Sequence, residues 1–315
     1  MALIIGAVVT LLVTPLAARV ALRVGVVDRP GPLKVQQLPV PYLGGVAVFA
    51  GLAGPVAWAQ PALLVPLGLA VLLGLADDVA DVSPRLRLAG EIAIGVTAAI
   101  SLPGSISVAG GVATTLVVVA LLNAVNLLDG LDGLATSVAA LGALGFSVVL
   151  DGDARVTAMA LAGALLGFLA WNRPPARIYL GDAGSYLVGT TLALLLALTT
   201  TSDESNATTA GALLFVAVPV ADTTIAIVRR RRAGRPLFQG DRGHVYDQLV
   251  DRGWSSQRST LACAAAQAGF VALGLAASAL TTGAGVALVA GVVAVVGATA
   301  TWAFTAPSPR TTRMT

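Results

Sequence analysis

Long apolar runs recur along the whole chain, separated by short polar connectors. Runs of about 15 to 22 apolar residues, the length a bilayer-spanning helix requires, fall near 2–20, 43–59, 61–76, 88–102, 112–128, 134–150, 154–171, 184–200, 208–228, 259–280 and 284–304. A soluble domain would have to cover such runs with polar surface. The composition does not supply it, with 57% hydrophobic and 11% charged residues against roughly a quarter charged in soluble proteins. The expected fold is therefore all-α, a polytopic integral membrane protein with about eleven transmembrane helices. It is read as a single transmembrane domain over 1–315, with one long cytoplasmic loop at 229–258. Intrinsic disorder, a disulfide scaffold and a soluble nucleic-acid binder are excluded, so no nucleic-acid partner is expected. The lone cysteine, Cys263, reads as a small filler in an apolar run.

The basic residues test the number of crossings. With eleven spans, alternate connectors share one side of the membrane, and the connectors after spans 1, 3, 5, 7 and 9 plus the tail hold 18 of the 19 Lys and Arg residues. Only Arg155 falls on the other side. This asymmetry marks the basic side as cytoplasmic, which places the N-terminus outside and the C-terminus inside a cell membrane. Most acidic residues share the basic side, and the outer connectors are short and bland, so an inner-face active site is expected.

Five inner-face segments carry candidate chemistry. In GLADDVADVSPRLRLAGE, Asp77, Asp78 and Asp81 lie within about one turn. Like charges at this spacing repel, and the carboxyl end of a helix disfavours them further. Something positive must sit there: either Arg85 and Arg87, or a divalent ion such as Mg2+, with Mn2+ as the alternative, completed by substrate phosphate. In NAVNLLDGLDGLATS, Asn123, Asn126, Asp129 and Asp132 recur every third residue, with Gly130 and Gly133 expected to break the helix. Such groups at the edge of hydrocarbon imply a hydrated cavity or bound partner, although a self-capped Asx turn reads the same way.

The segment NRPPARIYLGDAGSYLVG offers Asp182 as a metal ligand and backbone amides that could face an anion, or merely a helix cap. The longest inner loop, RRRRAGRPLFQGDRGHVYDQLVDRG, contains Arg242 and the only histidine, His244. Its arginine tract suits a topology anchor on anionic lipid, while His244 suits phosphate binding or proton handling. Finally, VDRPGPLKVQQLPVPYLGG carries the only lysine, Lys34, either a diphosphate contact or an ordinary inner-face charge.

In order and in loop location, DRPGPLKVQQLPVPYLGG, DDVAD, NAVNLLDGLDGLA, PARIYLGDAGS and DRGHVYDQL resemble the inner-face motifs of the polyprenyl-phosphate N-acetylhexosamine-1-phosphate transferases, glycosyltransferase family 4. The resemblance spans nearly the whole chain. It implies a Mg2+-dependent enzyme that moves a sugar 1-phosphate from a UDP-N-acetylhexosamine to a polyprenyl phosphate lipid and releases UMP. By position it implies that Asp77 and Asp78 serve the metal and the attacking phosphate, and that Asp182 binds the metal. Asn123, Asn126, Asp129 and Asp132 would line the nucleotide pocket, and Lys34, Arg242 and His244 would hold phosphates. Asp222, in PVADTT, also matches, without an assigned role.

The chain departs from the family pattern at Gln36, Tyr246 and Asp247, where histidines are common. These changes favour an N-acetylglucosamine-type donor over a phospho-N-acetylmuramoyl-pentapeptide. A homodimer is one expectation for assembly, and wall polymer or polysaccharide synthesis is the expected setting. Two readings compete: a secondary transporter of an anionic solute, which would need polar access from both sides, and an inactive scaffold relative.

Overall fold

The computed structural model describes residues 1–28, 39–80, 82–104, 107–201, 206–235 and 243–304. Lys34, Gln36, Asp81 and Arg242, singled out above, lie outside the described residues. The chain runs α1 (Ala2–Val24), β1 (Val27–Asp28), β2 (Val40–Pro41), α2 (Gly44–Ala59), α3 (Leu64–Ala80), α4 (Pro84–Ser101), α5 (Val108–Leu128), α6 (Leu134–Val149) and α7 (Gly152–Asn172). It continues through α8 (Gly181–Thr201), α9 (Asn206–Leu213), α10 (Ala217–Arg232), α11 (Val245–Asp251), α12 (Ser256–Ser278) and α13 (Thr282–Phe304). Helices dominate because hydrocarbon supplies no partners for backbone N–H and C=O groups, so each segment must satisfy its own.

Among the described residues, eight helical stretches are long and apolar enough to cross a membrane, which makes the chain a polytopic helical membrane protein. The other apolar helices fall short for physical reasons. The sixteen residues of α2 and of α6 reach only about 24 Å at 1.5 Å per residue, less than a hydrocarbon core of roughly 30 Å. α4 carries Arg85, Arg87 and Glu91 in its first half.

α8 is the hub. In its membrane window 94% of residues are buried, against 11% in α13, so α8 is the core of the bundle and α13 an outer helix. α8 packs mainly on α3 and α5, with α2 beside its start. Glycine permits this approach: a Cβ on Gly74 of α3 would overlap the backbone of Asp182 and Ala183, and one on Gly45 of α2 would overlap Gly184. Small residues at such crossings let helix backbones touch in a membrane, where packing rather than hydrophobic burial drives association.

The α9–α10 stretch is broken by a 3-10 turn, Leu214–Val216. Pro219 has no N–H to offer the carbonyl of Phe215 four residues back. The buried Gln267 of α12 repairs the break: its Nε2 donates to the Phe215 carbonyl at 2.9 Å and the Leu214 carbonyl at 3.1 Å, while its Oε1 accepts the Val218 N–H at 3.1 Å. This splint fixes the direction in which α10 carries Asp222 toward the site.

The segment 229–258 is less of a loop than its composition suggests. Arg229 to Arg232 form the last turn of α10, α11 occupies Val245–Asp251, and α12 begins at Ser256. Charge density in the sequence mimics a loop, whereas arginines extend a helix readily once it projects from the apolar layer.

Candidate functional site

The carboxyl end of α3 reaches four residues further than its apolar run, so Asp77 and Asp78 are helical. α8 begins at Gly181, whose φ of 71° lies in the left-handed region, and this turn exposes the first backbone amides of the helix. Asp78 takes both of the nearest ones. Its Oδ1 accepts the Asp182 N–H at 2.9 Å and its Oδ2 the Ala183 N–H at 3.1 Å. A carboxylate disfavoured at the end of α3 thus finds the positive end of the α8 dipole. Charge-assisted caps of this kind contribute about 0.5–2 kcal/mol.

Asp77 turns the other way. Its Oδ1 accepts the Val82 N–H at 2.9 Å, its Oδ2 the Tyr186 hydroxyl at 2.9 Å, and Arg87 lies 3.5 Å from Oδ2. Arginine pairing is therefore realised at Asp77, through Arg87, which also approaches Glu91 at 3.7 Å. Among the described residues neither Asp78 nor Asp182 has an ion-pair partner within 4.0 Å. Asp182 lies next to Asp77, and its Oδ1 accepts Asn126 Nδ2 at 2.6 Å. The same amide reaches Ser185 Oγ at 3.0 Å. Asp77, Asp78, Asn126 and Asp182, drawn from three helices, thus converge on the start of α8.

The rest of the step-of-three row separates. Asn123 Nδ2 donates to Glu91 at 2.8 Å, which directs it to α4 and away from Asp182. α5 ends at Leu128, and the turn before α6 closes at Gly133 with φ 70°. In this turn Asp129 is partly buried, and its carboxyl is pushed well above the usual range by burial and then by the neighbouring Asp182, Asp78 and Asp132. Negative charge is in excess there. Asp132 secures the next wall: its Oδ2 accepts the Ala176 N–H at 2.8 Å, and its carbonyl accepts the Thr260 hydroxyl at 3.1 Å.

Two tyrosines outside the spans complete this end. The short β1–β2 ribbon pairs Val27 with Pro41 and Asp28 with Val40, and Pro41 accepts the Tyr179 N–H at 2.8 Å. Tyr42 and Tyr179 pack with ring centroids 6.0 Å apart. Burial and the adjacent Asp28 raise the Tyr42 phenol, keeping it a donor to Asp28. Burial, then Asp132, pushes the Tyr179 phenol up to about 12. The ribbon brackets the segment that holds Lys34.

His244 is buried and caps the start of α11. Its Nδ1 lies 2.6 Å from Asp222 Oδ2, and Asp222 Oδ1 accepts the Val245 N–H at 2.7 Å. The ring stacks on Tyr246 at 5.5 Å and 9°. The Tyr246 hydroxyl donates to the Leu127 carbonyl at 2.9 Å, and its ring lies so close to Gly130 that a Cβ there would overlap it. The histidine arm therefore docks on the turn that follows Asn126, beside the aspartate cluster.

Arg87, Tyr186, Ser185 and Tyr42 join the site without having been named from the motifs as functional. Tyr186 stands four residues after Asp182, one turn along the same face, which is the signal that could have identified it. Among the described residues, no three His, Cys, Asp or Glu side chains form a ready-made metal-ligand set. The donors that do converge are hard oxygens. They fit an ion such as Mg2+, which takes one or two carboxylates and fills its other positions with phosphate and water.

A membrane bundle in which carboxylates of two helices and an amide of a third meet at one end defines a class of multi-pass proteins with a polar site at the end of the bundle. Residues 61–200 match the model of glycosyl transferase family 4. A probable undecaprenyl-phosphate N-acetylglucosaminyl 1-phosphate transferase of Bacillus subtilis is 31% identical, over 82% of this chain and 79% of its own length. A decaprenyl-phosphate N-acetylglucosaminephosphotransferase of Mycobacterium tuberculosis is 33% identical, over 81% of this chain and 76% of its own. The undecaprenyl-phosphate alpha-N-acetylglucosaminyl 1-phosphate transferase of Escherichia coli K12 is 28% identical, over 82% and 78% respectively. The chain belongs to glycosyl transferase family 4.

Proposed function

We propose that this protein transfers N-acetylglucosamine 1-phosphate from its UDP-activated form to polyprenyl phosphate, yielding a polyprenyl-diphosphate sugar and UMP. The observation that carries the reading is the convergence of Asp77, Asp78 and Asp182 at the start of α8, in a chain whose relatives are named for that transfer. The domain is a single unit over 1–315. The site faces the cytoplasm, with the N-terminus outside and eleven crossings when the short α2 and α6 and the charge-bearing α4 are counted with the eight long apolar stretches, in keeping with 18 of 19 basic residues on that side.

Joining a lipid phosphate to a nucleotide diphosphate crowds negative charge, so positioning and neutralisation do most of the work. Asp182 would be the principal metal ligand, one of its oxygens being steadied by Asn126 and its carboxyl lying beside that of Asp77. Asp77 is the second ligand or the acceptor of a proton from the attacking phosphate. Asp78 holds the start of α8 by two amides and contributes charge to the same pocket. Mg2+, or Mn2+ in its place, would be held by these carboxylates and would supply positive charge to offset that of the donor phosphates. Lys34, Arg242 and His244 hold phosphates. Asn123, Asn126, Asp129 and Asp132 line or brace the nucleotide pocket, Asn123 acting through Glu91.

UMP release from a panel of UDP-sugars, with polyprenyl phosphate and Mg2+ present, tests the proposal. UDP-N-acetylglucosamine is expected to be the best donor. Absence of UMP with every donor, or equal release without the lipid phosphate, contradicts it.

A further inference from the structure

Asp222 sits in an otherwise apolar stretch of α10, and an acidic side chain so placed needs a partner. The partner is His244, and the contact is short and buried: 2.6 Å, with the two side chains 3% and 5% exposed. Both carboxylate oxygens are committed, one to the imidazole Nδ1 and one to the Val245 N–H. The ring has no freedom to rotate away, because one face lies on Tyr246. Tyr246 is itself tied by its hydroxyl to Leu127.

We infer that Asp222 is a positioning residue that fixes the tautomer and orientation of His244, leaving Nε2 as the ring nitrogen that meets substrate phosphate. The inference rests on the proposed phosphate contact of His244. A carboxylate at Nδ1 requires hydrogen there, so Nε2 is left either to accept a proton or, in the imidazolium, to donate to a phosphate oxygen. Partners on the far side of a working histidine commonly set its tautomer in this way, and their loss typically costs about 10–100-fold. Asp222 needs no contact with the substrate to have that effect.

The chain contains a single histidine, so selective 15N-histidine labelling gives one imidazole with no assignment problem. The wild-type spectrum is expected to show hydrogen on Nδ1, alone or with Nε2 also protonated. Asp222→Asn is expected to change that pattern and to lower kcat/KM for UMP release at least about tenfold. The Asp222→Asn/His244→Gln double variant should be no slower than His244→Gln alone, since Asp222 acts only through the ring. A neutral wild-type ring with hydrogen on Nε2 only, a spectrum unchanged by Asp222→Asn, full activity of His244→Gln, or losses that multiply in the double variant would each overturn the inference. A wild-type protein that releases no UMP counts against the proposed function, while the tautomer measurement still decides the role of Asp222.

Discussion

At the start of α8, acidic side chains are held by backbone amides and by helices in glycine-mediated contact. Across the α5–α6 turn, His244 hangs on one carboxylate, one aromatic ring and one hydroxyl. The first region is part of the bundle core and cannot move without unpacking α3 from α8. The second is an arm docked on that core through the side chains of Asp222, His244 and Tyr246. Positions that tolerate no displacement are built from backbone, whereas a group that approaches the substrate from a surface segment is aimed by replaceable contacts.

The largest effect should come from removing charge at the rigid region. Asp182→Asn is expected to lower UMP release about 100-fold or more, the scale of losing a principal electrostatic contact, with helix content by circular dichroism unchanged. If Asp182→Asn turns over normally, the assignment of the first region is wrong.

A packing change sharpens the contrast. Gly74→Ala places a methyl group against the Asp182 backbone and should cost about 1–3 kcal/mol, as overpacking does. Gly68→Ala on the same helix meets nothing within 4 Å and should leave the unfolding midpoint in detergent within about 0.5 kcal/mol of wild type. Equal effects at the two positions would mean that α3 and α8 are not in tight register.

Smaller effects are expected at the arm. Gly130→Ala should push Tyr246 aside and raise the KM for donor several-fold, with the midpoint little changed. Tyr246→Phe removes the hydroxyl that donates to Leu127, a hydrogen bond worth about 0.5–1.5 kcal/mol, and should be the mildest of the set. A larger loss from Tyr246→Phe than from Gly130→Ala would show that the hydroxyl does more than hold the arm.

The apolar runs and their connectors were legible because bilayer thickness imposes one length on every span. The exact ends of those runs were less legible: Asp77 and Asp78 are at the carboxyl end of a helix as expected, whereas Asp182, read in the connector before its span, already belongs to α8, which begins at Gly181. The repulsion between Asp77 and Asp78 called for positive charge, and part of the answer is the amide end of α8; the sequence offered those amides to an anion but not the fact that Asp78 is the group they meet. The helix break after the row from Asn123 to Asp132 was legible at Gly130 and Gly133, but the separate partners of Asn123, Asn126 and Asp132 were not, since a helix of nearly uniform hydropathy does not reveal which side faces which neighbour. Asp222 was visible as an acid in an apolar run. Its partner was not, because the two residues are joined only by the route of the chain between α10 and α11.

The central claim is that Asp182, with Asp77 beside it, provides the metal-binding edge of the site. Titration of Mn2+ into purified protein with UDP present, free ion being followed by electron paramagnetic resonance, tests this directly. One ion should bind the wild-type chain, with affinity weakened at least about tenfold in Asp182→Asn at unchanged helix content. Equal Mn2+ binding by the two proteins would contradict the claim.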